Sequence, residues 1–464
     1  MNASVIVRAD NPNCQHFFRR KCVSLSRNFK TIIHMSHHDH DFEQTPASLV
    51  FGLKKLKLKS APPAVEGQKK VIVKGQGVLA VRFTEKKQPF AFVIQDDAKK
   101  NGFRLSVEKE GAVFYEQKAG NWEVSKSAMI KSGGGLDRDD SCSYWFSVDS
   151  HNCILRYGKG EVRKNTMLAE LRFDTPPEGY NALKNEPPYA YAWVSRIVSI
   201  YNEPAKIDVS GTIYRDPVIV DPAMYVVAND RITMDQVARN SATVSANLTA
   251  TCQQLYATVS GANFMLDTPD FPDFTKAIEA SIASPNGWCS KKLLEKANEF
   301  GSQPNPDETY LRITMGLNQG DSPGIPYVME IWPPGHYSPI HNHGGANAII
   351  RVLHGEITVN MYPMLSDYHQ IPFMVAKFGK DDVTWISPEL NQTHQLRNAN
   401  VTGPTCITIQ CYTYGEGNTT HYDYFDYIGQ NGQIAQFTPN TDMDFLAFKE
   451  KMREEWLTMF NTNA

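Results

Sequence analysis

Apolar residues in the first half of the chain come in short runs, among them Val71-Ile72-Val73, Gly77-Val78-Leu79-Ala80-Val81-Arg82-Phe83 and Phe90-Ala91-Phe92-Val93-Ile94. Ser143-Tyr144-Trp145-Phe146-Ser147-Val148 is another. Gly, Asp, Asn and Lys separate these runs, and that punctuation over residues 48–174 predicts an all-β sandwich. Further strands are expected over 192–201 and 207–219, with Pro187-Pro188, Pro217 and Pro222 breaking the pattern around them. The period then changes. Met234, Val237, Val244, Leu248, Cys252, Leu255 and Val259 recur at helical steps, which predicts one amphipathic helix over 233–261, weakest where Ser241 interrupts the stripe. Two short helices are expected over 267–300, divided at Pro285-Asn286-Gly287. Strand-like text runs from Tyr310 to Tyr414, and an amphipathic helix over 442–459 closes the chain. The expected fold class is mainly β. Its parts are a leader over 1–44, a β-sandwich domain over 45–225, a helical linker over 226–265 and a second β domain with a helical lead-in over 266–464.

Composition agrees with this division. A chain of 464 residues exceeds one ordinary core and implies two or three domains. Hydrophobic residues make up 41% and charged residues 21%, the balance of a soluble globular protein. A net charge of −3 gives no electrostatic case for nucleic acid or an anionic membrane as a partner. No apolar run approaches the roughly 18 residues of a membrane span. Cys14, Cys22, Cys142, Cys153, Cys252, Cys289, Cys406 and Cys411 form no CxxC pair. That argues against a zinc ribbon or thioredoxin-type motif and for free thiols in a reducing compartment.

The first 40 residues differ from the rest. Arg8, Arg19, Arg20, Lys21, Arg27 and Lys30 meet only Asp10 before Asp39, an acid-poor pattern shared with organellar transit segments. With Met35 as the working start the product is cytosolic, and a cytoplasmic protein is the expectation, with organellar targeting as the alternative. His34, His37, His38 and His40 form a His-rich tract expected in a disordered tail.

The chemistry concentrates in the second half. Gly335-His336-Tyr337-Ser338-Pro339-Ile340-His341-Asn342-His343 is followed by Gln392-Thr393-His394-Gln395-Leu396-Arg397-Asn398. On a strand, His341 and His343 point to one face and Asn342 to the other. Neutral imidazoles suit Fe(II), Zn, Mn, Ni or Cu, and three of them leave a divalent ion's charge uncompensated, which favours an anionic co-ligand such as a thiolate or carboxylate. An isolated His-x-His is more often a loop pair than a ligand pair; a third His with Asn398 four residues on reverses that balance. Gly158-Lys159-Gly160 is a strand turn and not a phosphate-binding loop, since the four-residue spacer and the GK[ST] ending are missing.

Trp332-x-x-Gly335-x5-His341-x-His343, with Gly355 twelve residues past the second His, resembles the first cupin motif, and His394-x3-Asn398 resembles the second. More narrowly, residues 267–437 resemble the cysteine dioxygenase family of thiol dioxygenases. The resemblance implies a cupin β-barrel holding Fe(II) on His341, His343 and His394, with no carboxylate ligand. Tyr310-Leu311-Arg312 is similar to the family's Tyr-x-Arg, in which the Arg pairs with the substrate carboxylate; a planar, permanently charged fork suits that task. Thr408-x-Gln410-x-Tyr412 stands where the family carries a hydroxyl residue, a His and a Tyr, which implies that Tyr412 points at oxygen or substrate. Tyr310 and His336 join Arg312 and Tyr412 as candidates on the substrate side, with Thr408, Gln410 and Trp332 behind them. Two departures stand out. Ala348 replaces the Cys that crosslinks to the Tyr in animal members, and Gln410 replaces a His with a group that does not titrate. In the first half, Asn152 to Glu161 after Tyr144-Trp145-Phe146-Ser147-Val148-Asp149 is similar to β-sandwich modules of the farnesoic-acid-methyltransferase-like type, a hint about fold only.

The activity the resemblance implies is oxidation of cysteine by O2 to cysteine sulfinic acid. Three rivals stay open: another thiol-carboxylate such as 3-mercaptopropionate as substrate, a lyase or isomerase metallocupin, and a non-catalytic binding protein. The partners expected are a small thiol and O2, and the oligomeric state is left open.

Overall fold

The computed structural model describes residues 66–462, apart from 85, 126–127, 139–141, 177, 179–188, 206–208, 219–220, 316–326 and 415–423. The expected leader, Met35, the His-rich tract, Cys14, Cys22 and Pro187-Pro188 lie outside the described residues. Residues from Val65 onward belong to one compact unit.

Among the described residues the first half contributes β1 (Gln68–Lys70), β2 (Gln76–Phe83), β3 (Phe90–Gln95), β4 (Gly102–Val107), β5 (Ala112–Lys118) and β6 (Asn121–Val124). It continues with β7 (Ala128–Ile130), β8 (Ser143–Asp149), β9 (Ile154–Lys159), β10 (Met167–Arg172), β11 (Ser199–Glu203) and β12 (Val209–Tyr214). They form two six-stranded sheets, ordered β1-β11-β3-β4-β5-β6 and β12-β2-β8-β9-β10-β7. Alternate side chains of the two sheets make one core: Leu79, Val81 and Phe83 with Tyr144, Phe146 and Val148 from one sheet, against Phe90, Phe92 and Ile94 from the other. Every second residue of these strands enters this shared core, as the inner faces of a two-sheet sandwich demand. The expected strand over 192–201 starts late, because Val194–Arg196 is a single 3₁₀ turn before β11.

The expected helical linker is corrected. Met234–Ala238 forms only a short helix, α1, while Val226–Val227 (β13) pairs in parallel with Thr243–Val244 (β14), and a second helix, α2, spans Ala250–Val259. Met234 and Val237 are 89% and 63% exposed, so the buried stripe begins only at Leu248. Thr233 and Thr249 each accept from a backbone N–H three residues on, giving two start signals inside one apolar stripe. Between them Asn240 takes a positive φ of 49°, a conformation that ends a helix.

The expected pair of lead-in helices is present as α3 (Phe274–Ala283) and α4 (Trp288–Glu295). The strands that follow are β15 (Leu311–Thr314), β16 (Val328–Trp332), β17 (His341–Asn342), β18 (Asn347–His354), β19 (Glu356–Met361) and β20 (Met374–Gly379). Then come β21 (Val383–Ile386), β22 (Thr393–Arg397), β23 (Cys406–Thr413), β24 (Phe425–Ile428), β25 (Ile434–Phe437) and β26 (Met443–Asp444), and helix α5 (Phe445–Thr462) closes the chain. Two six-stranded sheets result, β21-β18-β23-β16-β15-β26 and β20-β19-β22-β17-β24-β25. The chain is mainly β, as expected. On the first of these sheets Leu311, Ile313, Met329, Ile331, Ile407, Ile409 and Cys411 pack against Phe274, Ile278, Cys289, Phe448 and Met452 of the helices. Strand alternation then turns the residues between them, Arg312, Glu330, Thr408, Gln410 and Tyr412, to the other face. Among the described residues Cys142, Cys153, Cys252, Cys289, Cys406 and Cys411 are buried and form no disulfide. Among the described residues no helix is long and apolar enough to cross a membrane.

Candidate metal centre

Strand pairing brings the three His together. In β17 and β22, His341 stands directly opposite His394. His343 follows two residues after His341, outside the strand, in a turn carried by Gly344 and Gly345 at φ 59° and 83°. One ligand nitrogen from each of His341, His343 and His394 lies within 4.8 Å of the others. Nε2 of His343 and Nε2 of His394 are 3.0 Å apart. That is the spacing of two nitrogens held at about 2.1 Å from one ion at a right angle. The carbonyl of Pro339, which only accepts, lies 3.0 Å from Nδ1 of His341, so the proton sits there and Nε2 keeps its lone pair. Burial pushes His341 down to about 4. It pushes His343 and His394 well below the usual range, and the neighbouring imidazoles add to the effect. All three are therefore neutral near pH 7, the form that binds metal. Nδ1 of His343 is buried, with no hydrogen-bond partner among the described residues. This donor set fits one divalent ion.

A small cavity of about 20 Å³ adjoins the cluster, lined among others by Arg312, Glu330, His341, His343, Gln410 and Tyr412. About 10–15 Å³ admits one water, so a larger ligand enters only if aromatic lining such as Phe425 and Phe437 moves. Arg312 is 3% exposed. Its Nη1 donates to the Pro439 carbonyl at 2.5 Å, and its backbone N–H donates to Asp442 at 2.7 Å. Tyr412 lies over His343, ring centroids 5.5 Å apart and nearly parallel. Its hydroxyl donates to Oε1 of Gln410, and Nε2 of Gln410 donates to Oε2 of Glu330. Burial raises the Tyr412 phenol well above its ordinary value.

Glu330 is the residue that sequence reasoning missed. It stands across the ladder from both Arg312 and Thr408. Burial raises its carboxyl to about 7, against the opposing pull of Arg312, Lys296 and the Gln410 hydrogen bond. A lone acid in the apolar run Val328-Met329-Glu330-Ile331-Trp332 is the signal that could have found it.

Not every candidate converges on the cavity. Tyr310 and Trp332 line it as a stacked pair, centroids 4.2 Å apart. His336 does not: its Nδ1 faces the Thr309 carbonyl at 2.9 Å, which holds it away from the lining. Thr408 lines a separate cavity of about 10 Å³ beside His394, and its hydroxyl has no hydrogen-bond partner among the described residues. Ala348 is fully buried near Tyr412, with no sulfur to offer.

No protein-family model matches the chain. Solved structures similar to parts of it include a recombinant oxalate oxidase in complex with glycolate, at 18% identity and a TM-score of 0.16. That match covers 20% of this chain and 43% of the oxidase, so this chain spans less than half of that protein's length. A protein with a double-stranded β-helix domain from Klebsiella pneumoniae matches at 16% identity, over 22% of this chain and 79% of its own, with a TM-score of 0.16. A cupin-superfamily sugar phosphate isomerase from Silicibacter pomeroyi matches at 16% identity, over 25% and 71%, with a TM-score of 0.16. At such scores the likenesses carry no argument about activity. What the chain itself presents is a mainly β protein with a three-His group, His341 half-buried and His343 and His394 buried, able to hold one metal ion.

Proposed function

We propose that the chain is an iron-dependent thiol dioxygenase that converts cysteine and O2 to cysteine sulfinic acid. The observation that supports it most is the all-nitrogen His341–His343–His394 group beside a cavity that also holds a buried guanidinium and a buried phenol. Fe(II), when bound there, supplies a Lewis acid that favours the thiolate and a redox centre for O2. His341, His343 and His394 would hold it. Arg312 receives the carboxylate on its fork, since it is permanently charged and its Nη1 is anchored by the Pro439 carbonyl. Tyr412 donates its one hydroxyl proton to Oε1 of Gln410, which orients the hydroxyl; turned from Gln410 toward a bound substrate, the same proton would serve the reacting sulfur or oxygen. Aromatic walls exclude water from the thiol.

Glu330 bears on substrate choice. A carboxylate arriving at Arg312 meets a second carboxyl opposite, and the two coexist at least cost when Glu330 carries a proton. Its raised pKa allows that near neutrality. The test is oxygen uptake by the iron-loaded chain with cysteine, and with 3-mercaptopropionate as the des-amino comparison, sulfinate being identified as product. His341→Ala should abolish uptake. Abundant Zn in protein purified without chelator, with no thiol-dependent uptake after iron loading, overturns the reading.

A further inference from the structure

One loop of the sandwich half reaches the segment that leads into His394. After β9, Gly160 turns at φ 77°, and a Cβ there would lie 2.2 Å from the Pro363 carbonyl, so only glycine allows the approach. Glu161 follows. Its Oε2 accepts from the backbone N–H of Asn391 at 3.0 Å, and its Oε1 accepts from that of Gln392 at 2.8 Å. Asn391 is at φ 65°, and two successive N–H groups presented this way form a backbone concavity suited to an anion. Arg163, with a side chain 1% exposed, donates from Nη1 to Glu161 at 2.9 Å and to the Asn391 side chain at 2.9 Å. Gln392 then ties both ligand segments together. It precedes His394 by two residues, and its side chain accepts from Gly345 N–H at 2.9 Å and donates to the Ala346 carbonyl at 2.9 Å. Ala346 N–H in turn donates to the carbonyl of His343 at 3.1 Å.

We propose that Glu161, a residue of the sandwich half, is a positioning residue for the metal centre. It fixes Asn391–Gln392, and through Gln392 it sets the separation of His343 from His394. The proposal rests on reading the three His as a metal site and is independent of the reaction catalysed. It also gives the sandwich a task in the enzyme, since the buried carboxylate that braces the ligands comes from its loop.

Cobalt(II) titration of the full-length chain, followed by absorption, tests it without turnover. In Glu161→Gln the amide nitrogen faces a peptide N–H, so one of the two backbone contacts turns repulsive, and affinity should fall about ten- to hundredfold. Glu161→Asp, which keeps the charge, should recover part of that loss. His369→Ala is the control: it removes another contact between the halves, with Asp137 at 2.5 Å, and should leave affinity unchanged. Wild-type affinity in Glu161→Gln, or an equal loss in His369→Ala, overturns the proposal. If Glu161→Gln does not fold by circular dichroism, Gln392→Ala decides, because wild-type affinity there severs the route. Absence of cobalt binding in the wild-type chain is a different result: it removes the metal reading, and this one with it.

Discussion

At the scale of single residues, Glu330 makes the most specific demand. Its carboxyl, ordinarily near 4.5, is raised to about 7, so between those values the folded chain holds a proton that the unfolded chain releases. Stability therefore falls as pH rises through that window, and Glu330→Gln should flatten the fall by up to about 3 kcal/mol in urea titrations at successive pH values. The same proton governs substrate. Above pH 7 or so the ionised Glu330 competes for Arg312, so KM for a thiol-carboxylate should rise with pH in the wild type and stay level in Glu330→Gln. A level KM in both would mean that Arg312 does not receive the carboxylate.

Among elements, a single glycine carries the chain from β18 in one C-terminal sheet to β19 in the other. Gly355 takes φ 71°, and a Cβ there would stand 2.6 Å from the Thr405 carbonyl and 2.9 Å from the Cys406 Cα. Both the left-handed backbone and the close approach penalise any side chain. Gly355→Ala should lower the unfolding free energy by about 2 kcal/mol or more, read as an earlier urea midpoint. The neighbouring β17 shows how little regular strand the site needs. It pairs over His341–Asn342 only, and His343 reaches the cluster from a glycine turn. Alternation along β15, β16 and β23 does the remaining placement, sending one set of residues to the helices and the other to the cavity.

For the molecule as a whole, the contact between the N-terminal and C-terminal halves includes a buried ion pair beside the apolar packing of Met364. Arg163 and Glu161 are 1% and 8% exposed, and Arg163 also lies over the Phe373 ring at 5.0 Å. Removing one member of such a pair strands the other charge away from water. Arg163→Ala should therefore cost about 3 kcal/mol in global unfolding. A loss under about 1 kcal/mol, the value of an exposed pair, would mean that water relieves Glu161. The same contact makes cooperative unfolding of both halves the expected behaviour, with sandwich and metal site lost in one transition by fluorescence and circular dichroism.

What could be read along the chain was what local periodicity and spacing encode. His341 and His343 two apart announced one-sided placement before any pairing was known, and a third His with Asn398 behind it pointed to the same chemistry, while Arg312, Gln410 and Tyr412 entered through the family resemblance. The mainly β class followed from short apolar runs between turn residues. Other features depended on pairing between distant segments. A uniform apolar stripe over 233–261 concealed two caps and a parallel β-bridge, because Met234 and Val237 find nothing to pack on. His336 looked like a pocket residue until Thr309 claimed its ring. Glu330 gained its meaning from the register that sets it across from Arg312, and Glu161 from a backbone 230 residues away that it grips. Side-chain type and spacing are local properties and were settled by the sequence itself; which charge faces which, and which loop braces the ligands, is set by strand register and sheet packing, which only the tertiary structure decides.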